Sequence, residues 1–242
     1  MLEDLVILRS GGFVLGGALF WVLYWDMKDR MKPEPRLLLL AAFALGLGSA
    51  FVALGLFAAA SRLGAPSYPS GGTLPILAYC LLLVGPVEEG AKFLVARLFV
   101  YRWRAFDEPV DGLVYASAIG IGFAALENLL FLPYLPWTEG LARSVASPLT
   151  HSLFAAIWGF GLSRARLRTA TAGGRAMWMI LPLAASMLLH GLYDFALLSA
   201  GATWAASAIT LAIWLPVIAY ARRLVGRDLS ANWRRQPARA RT

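Results

Sequence analysis

The stretch Gly85-Pro86-Val87-Glu88-Glu89-Gly90-Ala91-Lys92 lies inside a mostly apolar segment running from about Leu74 to Tyr101. A segment of that length and polarity reads as a membrane-spanning helix. Its one other charge, Arg97, is near enough to the end to snorkel to the interface. Each charged group in the middle of such a helix costs at least about 2.5–3.5 kcal/mol on insertion scales. Glu88, Glu89 and Lys92 together therefore read as functional. Lys92 shares a helix face with both glutamates, so it neutralises one carboxylate and leaves the other to hold a proton or activate water. Pro86 has no amide hydrogen and predicts a break in the helical bonding one turn earlier.

Composition extends this reading to the whole chain. Of 242 residues, 59% are hydrophobic and 15% charged, and the mean hydropathy is +0.65. Soluble domains are about 45–50% apolar and about 25% charged, so the solvent for this chain is lipid. The expected fold is an all-α polytopic bundle in the cell membrane, one domain over residues 1–221, followed by a basic cytoplasmic tail at 222–242. The single cysteine, Cys80, excludes an internal disulfide. The N-terminal Met1-Leu2-Glu3-Asp4 lacks the basic start of a cleaved signal, so the first helix is expected to stay.

Seven spans are predicted: Leu5–Trp25, Leu37–Ala60, Leu74–Val100, Val110–Leu132, Ala142–Leu162, Met177–Ser199 and Ala202–Tyr220. Their connections alternate in basic content. Lys28, Arg30, Lys32 and Arg36 lie in the first, Arg102 and Arg104 in the third, and Arg164, Arg166, Arg168 and Arg175 in the fifth. The second carries only Arg62 and the fourth only Arg143, while the tail is rich in arginine. Basic residues accumulate on the cytoplasmic side, so the N-terminus is expected outside and the C-terminus inside. The net charge of +8 thus points to membrane orientation and anionic lipid at the basic loops and tail, not to nucleic acid. Trp21, Tyr24, Trp25, Tyr101, Trp103, Tyr134, Trp137 and Tyr220 fall where interface anchors belong.

The remaining buried polar residues are few. Asp107, Glu108 and Asp111 open the fourth span, where acids cap amides and complement the helix dipole. A run of small residues follows, from Ala116 through Gly120 and Gly122 to Ala125, which lets neighbouring helices approach closely. Glu127 and Asn128 come deep in that span, His151 in the fifth, and His190 with Asp194 in the sixth at a spacing that lets a carboxylate orient an imidazole. Counted at 1.5 Å per residue from the cytoplasmic ends, Glu88, His151 and His190 lie roughly 20 Å up and Glu127 roughly 25 Å. Scattered packing residues have no reason to agree in depth, whereas one site between the midplane and the outer half of the bilayer requires it.

Glu88-Glu89-Gly90-Ala91-Lys92 resembles the EExxK motif of the PrsW family of intramembrane proteases. Glu108-Pro109-Val110-Asp111-Gly112-Leu113-Val114-Tyr115 and Gly122-Phe123-Ala124-Ala125-Leu126-Glu127-Asn128 resemble its next blocks. His151 and His190-Gly191-Leu192-Tyr193-Asp194 resemble its histidine motifs, and the likeness covers about Leu74 to Leu198. That family is related to the CAAX-prenyl endopeptidases and bacteriocin-processing proteases, which place a histidine where this chain has Glu127. The resemblance implies a metallopeptidase that makes a first cut in a single-pass membrane protein of the anti-sigma-factor kind.

Two mechanisms follow. In one, His151, His190 and Glu127 hold a divalent metal, expected to be zinc, with Glu88 or Glu89 as general base and Asp194 orienting His190. In the other, a glutamate activates water without metal, and the histidines with Asn128 contact the oxyanion. The alternatives from other classes are a proton-coupled carrier, since buried Glu, His, Asp and Lys also relay protons, and a non-catalytic membrane scaffold.

Overall fold

A computed structural model of the chain describes residues 2–28, 34–66 and 72–200, and beyond them only isolated positions. The described residues are helical and contain no strand. In order they form α1 (Leu2–Lys28), α2 (Arg36–Arg62), α3 (Thr73–Tyr79), α4 (Gly85–Leu98), α5 (Asp111–Phe131), α6 (Trp137–Leu167) and α7 (Ala172–Ala200). Five stretches are long and apolar enough to cross a membrane: Arg36–Arg62, Thr73–Arg102, Asp111–Tyr134, Trp137–Leu167 and Ala172–Ser199. The first helix adds a shorter apolar stretch, Leu8–Tyr24. The span expected at Ala202–Tyr220 and the basic tail lie outside the described residues, apart from isolated positions.

The bundle is built around α5 and α6. In their apolar stretches 78% and 72% of residues are covered by protein, against 33% for α2 and 17% for α7. Leu15, Leu40, Leu82, Ile180 and Leu181 point outward, as lipid contact requires. The small residues of α5 make its close contacts. Gly122 lies against the Phe43 carbonyl of α2, Gly46 of α2 against the Ile119 carbonyl, and Gly112 against the Gly159 carbonyl of α6. A side chain at any of these positions would push two backbones apart.

The break predicted at Pro86 takes a specific form. Residues Cys80–Val84, between α3 and α4, make a single π-helical turn that ends at Gly85 and Pro86. Proline offers no amide to the preceding turn, and the wider turn absorbs the mismatch. Gly85 lies against the Met187 carbonyl and Gly191 against the Cys80 carbonyl, so α7 seats directly on the broken region. That seat sets His190 beside Glu88 and Glu89.

Two expectations are corrected here. Asp111 turns back from α5: its Oδ2 accepts from the amides of Asp107 at 2.7 Å and Glu108 at 2.6 Å. The Gly112 amide in the first turn donates instead to Ser163 Oγ at 3.1 Å. Trp21 is a packing residue rather than an interface anchor, 7% exposed, with its indole N–H donated to the Val145 carbonyl at 2.8 Å. Tyr134 and Trp137, by contrast, stand out from the surface as anchors do.

Candidate active site

Four helices bring Glu88, Glu89 and Lys92 (α4), Glu127 (α5), His151 (α6) and His190 (α7) into one connected cluster. The residues read from the sequence as lying at similar depth touch one another in the structure.

Glu89 is fully buried, with four donor groups around its two oxygens. Lys92 Nζ at 2.7 Å and His190 Nδ1 at 2.8 Å donate to Oε1. Trp158 Nε1 donates to Oε2 at 2.9 Å, and Ser186 Oγ, 3.1 Å from Oε2, divides its single proton between that oxygen and the Phe154 carbonyl at 2.8 Å. A carboxylate has about four acceptor positions, so Glu89 is close to saturated. Glu88 is the opposite case. Its Oε2 is buried without a hydrogen-bond partner. It lies 3.6 Å from Lys92 Nζ, 3.7 Å from His190 Nε2 and 4.0 Å from His151 Nδ1.

Both imidazoles are fixed by glutamates. An ionised carboxylate only accepts, so His190 carries a proton at Nδ1, toward Glu89, and turns Nε2 toward Glu88 and Asp194. His151 carries its proton at Nε2, 3.0 Å from Glu127 Oε2, and turns the Nδ1 lone pair inward. Lys92 Nζ meets that lone pair at 2.7 Å. It also lies 3.9 Å from the centroid of the Phe123 ring. Phe154 stacks on the His190 ring at 4.8 Å, and Ser186 ties itself to the Phe154 carbonyl at 2.8 Å.

The residues present suit a divalent cation. Glu88, His151 and His190 each offer one ligand atom, all within 4.8 Å of one another. The two Glu88 distances, 3.7 and 4.0 Å, are slightly wider than the roughly 3.3 Å between neighbouring ligand atoms around tetrahedral zinc. Glu88 Oε2 is buried without a hydrogen bond and faces a ring nitrogen of each histidine, with Lys92 Nζ, 3.6 Å away, the cationic group beside it.

The sequence-predicted residues therefore divide differently. Glu127 was the expected third ligand beside the histidines, and the structure places it on the outer nitrogen of His151, paired with Arg143 at 2.9 Å. Asp194, expected to orient His190 from its own helix, faces Nε2 at 3.5 Å, the nitrogen that also faces Glu88, while the orienting bond comes from Glu89. Asn128 is fully buried, and its Oδ1 accepts from Arg143 Nε at 3.0 Å. Sequence reading missed Trp158, Ser186 and Arg143. Helical spacing held the signal for two: Trp158 is two turns beyond His151 and Ser186 one turn before His190, on the same faces.

Gly120 belongs to the site through its backbone. A methyl group there would sit 2.5 Å from the His151 carbonyl oxygen. Gly120→Ala is expected to leave a folded protein, destabilised by about 1–3 kcal/mol. By moving His151 off position it should slow hydrolysis on the order of 100-fold. Cleavage of a membrane-anchored reporter, measured beside thermal unfolding, checks this, and wild-type turnover would refute it.

An all-helical membrane bundle with a buried carboxylate–imidazole centre defines a membrane-embedded protein that carries the groups hydrolysis needs. Known proteins make the class specific. The family model for the PrsW family intramembrane metalloprotease matches residues 34–221. The chain is 32% identical to Protease PrsW of Bacillus subtilis (strain 168) over 81% of its own length and 84% of that protein's. It is 31% identical to Protease PrsW of Geobacillus kaustophilus (strain HTA426), covering 79% and 80% of the two chains. It is 27% identical to Protease PrsW of Clostridioides difficile (strain 630), covering 81% and 79%. No solved structure matches the chain. The chain belongs to the PrsW family and is an intramembrane endopeptidase, a multi-pass cell-membrane protein acting on a membrane protein. The carrier and scaffold readings give way to the protease.

Proposed function

We propose that the chain hydrolyses a peptide bond in a single-pass membrane protein, of the anti-sigma-factor kind the family resemblance implies, with zinc as its metal. Glu88, His151 and His190 hold the ion. The observation that carries this reading is the opposed pairing of the two imidazoles: Glu89 lies on Nδ1 of His190 and Glu127 on Nε2 of His151, so the other nitrogen of each ring faces Glu88 Oε2. Carboxylate–imidazole pairing of this kind is how ligating histidines are oriented. A seven-span topology with the N-terminus outside and the basic tail on anionic cytoplasmic lipid, which the alternation of basic connections supports, would put the reaction between the midplane and the outer half of the bilayer.

A bound divalent cation supplies Lewis acidity, polarising the scissile carbonyl and acidifying water. The chain's own groups do the rest. Asp194, part-exposed and beside His190 Nε2, takes the proton from the attacking water and returns it to the leaving amine. Lys92 stays on Glu89 and carries positive charge beside the developing oxyanion. Glu89, surrounded by donors, holds His190 in place and moves no proton.

One observation favours a second reading. Lys92 Nζ already meets the His151 Nδ1 lone pair at 2.7 Å. In that case Glu88 takes the proton from water directly, and Lys92 with His190 faces the oxyanion. Metal content of the purified protein, wild type beside a His151→Ala/His190→Ala double variant, separates the two. Near-stoichiometric zinc in the wild type, lost in the double variant, is expected. A metal-free wild type that still cleaves its reporter would shift the mechanism to Glu88 alone.

A further inference from the structure

Arg143 is the only lysine or arginine between Tyr134 and Arg164. In the proposed orientation it lies on the outer side, where arginine has no topological purpose. Its side chain is 28% exposed and turned inward. It lies on α6, two turns before His151, and grips the end of α5. Nη2 is 2.9 Å from Glu127 Oε1, Nε donates to Asn128 Oδ1 at 3.0 Å, and the guanidinium lies 4.9 Å from the Phe131 ring centroid.

Glu127 is held from two sides. Arg143 fixes Oε1, while Oε2 accepts from His151 Nε2 at 3.0 Å and from Ser147 Oγ at 3.4 Å. The Glu127 side chain is 21% exposed, so without the arginine its carboxylate has room to turn away from His151. If it turned, His151 would lose both its orientation and the constraint that keeps its proton at Nε2. Asn128, held by the same guanidinium, stops Arg143 from swinging out.

We propose that Arg143 is a positioning residue for the reaction, acting on His151 through Glu127 and contacting no reacting atom. It does for His151 what Trp158, Ser186 and Lys92 do for His190 through Glu89. The inference rests on the reading of His151 as a functional group of the centre.

The test uses the full-length protein in detergent or bilayer discs. Arg143→Ala, Arg143→Lys, Glu127→Gln and the Arg143→Ala/Glu127→Gln double variant are each followed by thermal unfolding, reporter cleavage and cobalt(II) absorption. Arg143→Ala should lower kcat by about 10- to 100-fold, the range found when a group behind a metal ligand is removed, with KM within about twofold of wild type. Cobalt affinity should fall by a similar factor, with an altered d–d spectrum. Lysine keeps the charge without the fork, so it should recover part of the loss. The double variant should be no slower than the worse single one, because both act on one group. Losses that multiply in the double variant, or wild-type kcat in Arg143→Ala, overturn the proposal. If the wild type binds no cobalt yet cleaves, the metal reading fails, and the kcat cycle still decides Arg143. If Arg143→Ala does not fold, Arg143→Lys set against Glu127→Gln makes the same comparison.

Discussion

Glu88→Gln is expected to stop hydrolysis while leaving the fold intact. The amide has nearly the shape of the carboxylate, so packing around α4 is kept. What is lost is the negative charge on Oε2, a buried carboxylate oxygen with no hydrogen-bond partner that faces a ring nitrogen of each histidine. Whether that oxygen holds a metal or takes a proton from water, it stands at the reacting centre. Turnover should fall by at least about 10³-fold. Stability should hold, because neutralising a buried carboxylate removes its desolvation cost and offsets the loss of its 3.6 Å ion pair with Lys92, which keeps Glu89 as its nearer partner at 2.7 Å. Reporter cleavage in proteoliposomes, set beside the unfolding temperature, is the measurement. Retention of a tenth of wild-type turnover would remove Glu88 from the centre.

The position of the site was legible in the sequence, but its internal wiring was not. Charged groups in lipid are expensive wherever they point, so hydropathy alone isolates Glu88, Glu89, Lys92, Glu127, His151 and His190, and counting residues gives their shared height. Azimuth is another matter. Neighbouring helical residues point about 100° apart, so sequence alone leaves open which glutamate of the pair meets the four donors and which stays bare. The same gap explains Glu127: its height suits a ligand, but its direction on α5 takes it to the outer face of His151 and to Arg143. For His190, spacing reveals partners on the same helix and points to Asp194. The bond that orients the ring comes from Glu89 on another helix. The small residues of α5 announced close approach without saying to what, and Gly122 meets α2 while Gly112 meets α6.

Glu89→Gln is expected to differ from its neighbour by unfolding more easily as well as losing activity. Glu89 joins three helices: Lys92 on its own α4, Trp158 on α6, and His190 with Ser186 on α7. A glutamine offers one acceptor oxygen, and its amide group points two donors at partners that are themselves donors. With its oxygen toward Lys92 and His190 it leaves Trp158 without an acceptor, and turned the other way it leaves Lys92 and His190 without one, each orphaned donor costing about 1–3 kcal/mol. Lys92, fully buried, also loses its nearest counter-charge and keeps only Glu88 at 3.6 Å. Breaking a buried pair from one side typically costs about 3–5 kcal/mol. A loss of that size should lower the unfolding temperature by several degrees. His190, freed from its bond to Glu89, would no longer direct Nε2 at Glu88, so turnover should fall with stability. Trp158→Phe removes one donor and should cost about 1 kcal/mol. Thermal unfolding of the three variants side by side gives the answer: stable for Glu88→Gln, slightly weakened for Trp158→Phe, strongly weakened for Glu89→Gln. If Glu89→Gln unfolds with the wild type, the four donors do not depend on the carboxylate, and the division of labour between the two glutamates falls with it.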